Sequence, residues 1–142
     1  MKRRMLLLAV AAMAALILVS CGKQDDTIPD LTGEWVQPGD ENIYHSAVIT
    51  DDTIEINWNL RLYNESQLYW HGTYTPPTTP GKTYSWESVN DLEMAKTSVR
   101  ASREETKTFT YKKGMLSYIV TVGHLRMSVS LQRAEDVEAA AS

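Results

Sequence analysis

The side chains able to do chemistry are few and scattered. Cys21 is the only cysteine in 142 residues, so neither an internal disulfide nor a cysteine zinc cluster can form. His45, His71 and His124 fall in separate segments, with no His-x-His or His-x-x-x-His pair among them. A metal site needs three or four convergent ligands, so the spacing points to ordinary strand histidines, exposed or hydrogen-bonded. Asp51-Asp52 and Glu104-Glu105 read as turn chemistry, and Asp25-Asp26 as a solvated linker. There is no Gly-x-Ser-x-Gly elbow, no Ser-x-x-Lys, no phosphate loop and no Gly-x-Gly-x-x-Gly. Asn64-Glu65-Ser66 matches a glycosylation triplet but reads as a polar turn. The residues therefore predict neither an enzyme nor a cofactor.

Charge narrows the partners. Fourteen basic side chains stand against 18 acidic ones, a net −4. Phosphate backbones call for a clustered basic surface, so nucleic acid is not an expected partner.

The chemistry of Cys21 depends on what precedes it. Lys2, Arg3 and Arg4 form a basic patch, and Met5 to Val19 is an unbroken apolar run of fifteen residues. A membrane-spanning helix needs about 20, whereas a basic start and a short apolar core make an export signal. Leu18-Val19-Ser20-Cys21 follows at once. This resembles the lipobox of bacterial lipoproteins. The resemblance implies cleavage after Ser20 and a diacylglyceryl thioether on Cys21, which would anchor the protein on the extracytoplasmic face of a cell membrane. Two acyl chains, at about 0.8 kcal/mol per buried methylene, hold where one chain binds only marginally. Loss of residues 1–20 would leave 11 basic and 18 acidic side chains. So acidic a chain is not drawn to anionic lipid, and the acyl groups must do the holding.

Three further segments follow: an acylated cysteine and polar tether over 21–31, a β domain over 32–133 and a short tail over 134–142. The flexible part of the tether spans on the order of 17 Å, so the domain sits near the bilayer. The tail predicts frayed chain or one helical turn.

Apolar and polar residues alternate with a period of two along Ile54-Ile56-Trp58, Leu116-Tyr118-Val120-Val122 and Leu125-Met127-Val129-Leu131. Asp51-Asp52, Lys113-Gly114 and Gly123-His124 separate such runs as hairpin turns. The pattern predicts strands at 33–37, 43–50, 53–59, 67–75, 83–88, 97–102, 107–112, 115–122 and 125–133. Pro76 to Lys82 must be a loop, and Asn90, with Glu93 three places on, is placed to cap a short helix. The fold class is all-β: an antiparallel up-and-down barrel of eight to nine strands, with a two-sheet sandwich as the alternative.

Gly33-Glu34-Trp35 resembles the Gly-x-Trp opening of lipocalins and other calycin barrels. The resemblance implies that Trp35 plugs the closed end against a basic side chain of the last strand, for which Arg133 is better placed than Arg126. Trp70-His71-Gly72-Thr73-Tyr74 is similar to a strand of avidin-like barrels, although no biotin-binding set can be matched. The layout of lipobox, short tether and small β domain also resembles lipoproteins carried by temperate phages of Gram-positive hosts, some of which block a second phage from injecting DNA.

Trp58, Trp70 and Trp86, with Tyr74 and Tyr84 nearby, have two uses open to them. They could line a cavity for a small apolar ligand, or fill the barrel as core. Two expectations compete accordingly. A carrier would show a deep cavity lined by these tryptophans. An interaction module that meets a protein, as in superinfection exclusion, would expose apolar or aromatic side chains near the barrel rim.

Overall fold

The computed structural model describes residues 26–142. The expected export signal, the expected cleavage after Ser20 and Cys21 lie outside the described residues.

Eight antiparallel strands form a nearly closed barrel: β1 (Gly33–Val36), β2 (Ile43–Ile49), β3 (Thr53–Leu60), β4 (Glu65–Thr73), β5 (Thr83–Val89), β6 (Thr106–Lys112), β7 (Met115–Val122) and β8 (Leu125–Arg133). Their order in the sheet is β4-β3-β2-β1-β8-β7-β6-β5. Neighbours in the chain are neighbours in the sheet except at β4 and β5, its two edges, and β1 also pairs with β8, through Trp35↔Arg133 and Val36↔Gln132. This up-and-down order is a barrel, not a two-sheet sandwich.

The seam between β4 and β5 is looser. One bridge joins Gly72 to Asn90, and the Val89 amide donates to Thr73 Oγ1 at 2.9 Å. Gly72 is required there, because a Cβ would lie 2.4 Å from Ser88 Oγ and 2.7 Å from the Val89 carbonyl oxygen.

Three expectations differ. Residues 97–102 are not a strand but part of a crossover between β5 and β6 that folds on local turns, Ser98 N to Ala95 O and Ala101 N to Ser98 O. Val99, in the middle of that segment, is 95% exposed. Asn90 does not cap the helix. Asp91 does, accepting from the amides of Glu93 and Met94 at the start of α1 (Leu92–Ala95). The Asn90 side chain instead donates to the carbonyls of Ser102 and Glu104, pinning the crossover. The tail continues past one turn as α2 (Ala134–Ala141). Among the described residues no helix is long and apolar enough to cross a membrane.

Strand directions sort the connections to two ends. The segment 26–32, the turn at 50–52, the loop 74–82, the turn at 113–114 and α2 lie at one end, where the chain ahead of the barrel arrives. The connections 37–42, 61–64, 90–105 and 123–124 lie at the other, the mouth. At the first end Arg133 places its guanidinium 4.5 Å over the Trp35 ring and donates to the carbonyls of Thr32 and Asp30. Gly33, at φ +116°, passes so close that a Cβ would sit 3.0 Å from Arg133 Nη1. The Asp30 carboxyl accepts from Thr32 Oγ1 and N, and those bonds hold its pKa below the usual carboxylate value.

The interior is filled by a column of rings. From the chain-entry end toward the mouth, centroids step from Tyr74 to Trp86 at 5.0 Å, to Phe109 at 5.2 Å, to Tyr118 at 5.3 Å, to His45 at 5.8 Å and to Trp58 at 4.0 Å. Ile54, Ile56, Leu116, Val120 and Leu131 pack around it, all fully buried.

Candidate functional site at the barrel mouth

Alternation along β2 turns His45, Ala47 and Ile49 inward. His45 sits highest of the three and is 2% exposed. Its backbone is clasped by Gln37, which accepts at its side-chain carbonyl from His45 N and donates its own amide to His45 O. Across the barrel, Tyr118 on β7 hydrogen-bonds His45 Nδ1. The phenol has no other acceptor among the described residues, which assigns the bond as Tyr118 donating and puts the imidazole proton on Nε2. Nε2 itself has no hydrogen-bond partner among the described residues.

Tyr69 reaches the same cluster by an irregularity. The pairing of β3 with β4 runs Ile56↔Trp70 and then Asn57↔Leu68, which leaves Tyr69 as an extra residue. Such a bulge re-aims a side chain, and both Tyr69 and Trp70 end up buried. The Tyr69 ring lies 5.4 Å from His45 and 5.9 Å from Trp58. Its hydroxyl has the Ser102 side chain as hydrogen-bond partner and the Glu104 carboxylate nearby.

Lys107 on β6 also points inward, on the face it shares with Phe109. Its ammonium is paired with the Glu104 carboxylate, donates to the Ile119 carbonyl at 2.9 Å and lies 5.3 Å over Trp70 and 5.6 Å over Tyr69. A buried charge needs such pairing.

The electrostatic result is a neutral cluster. Burial drives the His45 pKa down to about 4. It drives Tyr69 and Tyr118 well above the usual phenol value, with Glu104 adding to the effect on Tyr69 and Tyr69 to that on Tyr118. Near pH 7 the imidazole is uncharged, the phenols keep their protons, and Glu104 offsets Lys107.

Above the cluster is a depression of about 500 Å³, lined by Trp58, Tyr69, residues 100–104 of the crossover and residues 120–123 of the β7–β8 hairpin. Around it the mouth connections carry bare apolar side chains: Leu62 at 80% exposure, Tyr63 at 70% and Leu125 at 69%, with Val122 and Met127 also exposed. Val122, Leu125 and Met127 belong to the inward face of their strands, and there the hairpin runs past the barrel's packed interior.

The residues singled out from sequence are placed as follows. Trp70, Trp86 and Tyr74 are buried in the ring column or beside it, touching Phe109 or one another. Trp58 is separate from them, half-buried at the mouth. Burial pushes Tyr74 up to about 12, with Tyr84 and Asp30 adding to it. His71 is half-buried, its Nδ1 3.8 Å from the Asp91 carboxylate, and His124 is exposed at the hairpin tip. Asp51 and Asp52 occupy the turn at the opposite end. Among the described residues no three His, Cys, Asp or Glu side chains gather around a common point. Sequence reading missed Tyr69 and Lys107 as interior residues. Lys107 leaves one signal, a two-residue spacing from Phe109; Tyr69 leaves none, because a bulge is not encoded in alternation.

A scan against protein-family models, a search of curated proteins and a search of solved structures each find no match to this chain.

Proposed function

We propose that the protein is a lipid-anchored, extracytoplasmic binding module that engages a protein partner through the barrel mouth, in the manner of a superinfection-exclusion factor. One relationship carries the reading: the chain arrives at one end of the barrel, and the exposed Leu62, Tyr63, Val122 and Leu125 stand at the other. An acyl chain on Cys21, a few residues ahead of Asp26, would hold the first end to the bilayer. The apolar rim would then face away from that membrane, where its target is another protein rather than the anchoring lipid. The filled interior favours this reading over a carrier that holds an apolar ligand deep among Trp70 and Trp86. The mouth chemistry suits binding more than proton transfer. A general base works best with a pKa near the operating pH, and His45 lies well below it.

Expression in a sensitive host tests the reading. Plaque formation by related phages should fall while adsorption stays normal, and the paired substitution Leu62→Asp and Leu125→Asp should abolish the effect. Unchanged plaque counts across a broad panel would defeat exclusion. Full exclusion by the doubly substituted protein would defeat docking at the rim. Cys21→Ala should block processing and palmitate labelling; labelling equal to wild type would defeat the anchor.

A further inference from the structure

We infer that the partner segment received at the mouth is acidic and apolar: its carboxylates pair with Arg100 and Arg103 at the depression, and an apolar side chain packs against Trp58. The inference names the chemistry of the partner and rests on the reading of the rim as a protein-docking surface.

Charge carries the argument. Arg100 and Arg103 line the depression and are exposed. Neither guanidinium has a hydrogen bond or an ion pair among the described residues. Glu104 is the one carboxylate in the lining, and it is already committed to the Lys107 ammonium and the Ser102 hydroxyl. Elsewhere in the crossover Asp91 caps α1 and Glu93 pairs with Lys96, while Glu105 lies outside the lining. The depression therefore shows two uncompensated positive charges, on a chain whose acidic side chains outnumber its basic ones by 18 to 14. Complementary potential selects a negatively charged partner for such a patch.

The backbone that bears the two arginines is fixed. Ala101 between them is buried, and the Ser102 amide donates to the Tyr69 carbonyl at 2.8 Å. The Asn90 side chain donates to the carbonyls of Ser102 and Glu104 at 3.0 and 2.9 Å. Pinning the backbone in advance reduces the ordering cost of binding. Apolar surface adjoins the charges: Trp58 and Val122 line the depression, and Leu125 stands bare at the hairpin turn. A small anion would leave that surface exposed, whereas a segment of mixed acidic and apolar residues covers both. A second copy does not suit the site. Its acidic helix α2 lies at the chain-entry end, and copies anchored in one membrane present their mouths on the same side.

The test presents the full chain in detergent micelles to a displayed library of random linear peptides and titrates the enriched peptides by fluorescence. Peptides that combine Asp or Glu with aromatic or aliphatic residues should be enriched, and raising the salt should weaken them. Arg100→Glu with Arg103→Glu should weaken them at least about tenfold. Lys112→Glu, the same change of charge at the opposite end, should leave their affinity as it is. Enrichment of basic or uncharged peptides in place of acidic ones would overturn the inference, as would no enrichment at all, equal affinity in the doubly substituted protein, displacement by benzoate as effective as by the peptide itself, or self-association of the chain through the same arginines. Should the double substitution fail to fold, Arg100→Gln with Arg103→Gln takes its place and should weaken the peptides by about threefold or more. Plaque assays separate the inference from the reading beneath it. Exclusion should be lost in the arginine pair as in Leu62→Asp with Leu125→Asp. Loss in the leucine pair with full exclusion in the arginine pair overturns the inference and leaves docking at the rim standing. Absence of exclusion by the natural chain defeats the exclusion reading, and the peptide selection still decides the chemistry of the mouth.

Discussion

Tyr118 and His45, 73 residues apart in the chain, are joined by a hydrogen bond across the barrel interior. It ties β7 to β2, strands that are not neighbours in the sheet, and it sits where the ring column gives way to the mouth.

The burial of His45 makes the fold sensitive to acid. His45 has a folded pKa of about 4, lowered by burial from 6.5. The unfolded chain therefore takes up a proton first as pH falls. The stability contributed by the neutral, buried imidazole is intact above about pH 6.5 and lost progressively between there and pH 4, by up to about 3 kcal/mol. Thermal unfolding followed over that range should show Tm falling. In His45→Gln the fall should be much shallower, and an equal slope in both proteins would contradict the assignment.

Lys107 and Glu104 should behave asymmetrically. Glu104→Ala leaves a buried ammonium without its carboxylate and should cost on the order of 3 kcal/mol. Lys107→Met leaves a carboxylate that is itself 44% exposed and keeps the apolar stem against Trp70, so it should cost much less. Urea unfolding of the two variants measures the difference, and the reverse order would rule out a charge buried as tightly as described.

Gly72→Ala should loosen the β4–β5 seam. The added methyl meets Ser88 Oγ, the Trp70 indole nitrogen and the Val89 carbonyl, all within 2.7 Å. A loss of about 1–3 kcal/mol is expected, together with faster amide exchange at Asn90, whose amide donates to Glu105 O beside the bridge. Unchanged exchange there would show that the seam does not depend on close approach.

Arg133→Lys should not be a conservative change. A guanidinium serves the Thr32 and Asp30 carbonyls and the Trp35 face together, a combination that a single ammonium cannot reproduce. Stability should fall by about 1–2 kcal/mol, with amides 30–33 losing protection first. Full retention of both would separate Arg133 from closure of that end.

Legibility of the sequence followed the regularity of the backbone. β7 and β8 alternate without interruption around a two-residue turn, and both were readable to the residue. Residues 97–102 share the composition of a strand, but they follow Asp91, whose carboxylate starts a helix that the crossover then unwinds through turns. Asn90 and Asp91 are both good caps, and only the demands of Ser102 and Glu104 on Asn90 decide between them. The Gly33, Trp35 and Arg133 arrangement was visible because Gly-x-Trp is a local signature. The mouth was not. Tyr69 turns inward only because β4 carries one residue more than β3 opposite it, and Lys107 is tolerated inside only because Glu104 reaches it from a crossover that periodicity cannot place.

The clasp that Arg133 forms on the carbonyls of Asp30 and Thr32 has a mechanical consequence. Any tension on the chain ahead of Asp26 reaches the sheet through that guanidinium before it loads the four-residue ladder of β1. Because the same side chain belongs to the last strand, a tug on that segment is passed straight to β8 and spread over its long hairpin with β7, instead of peeling the shortest strand away alone.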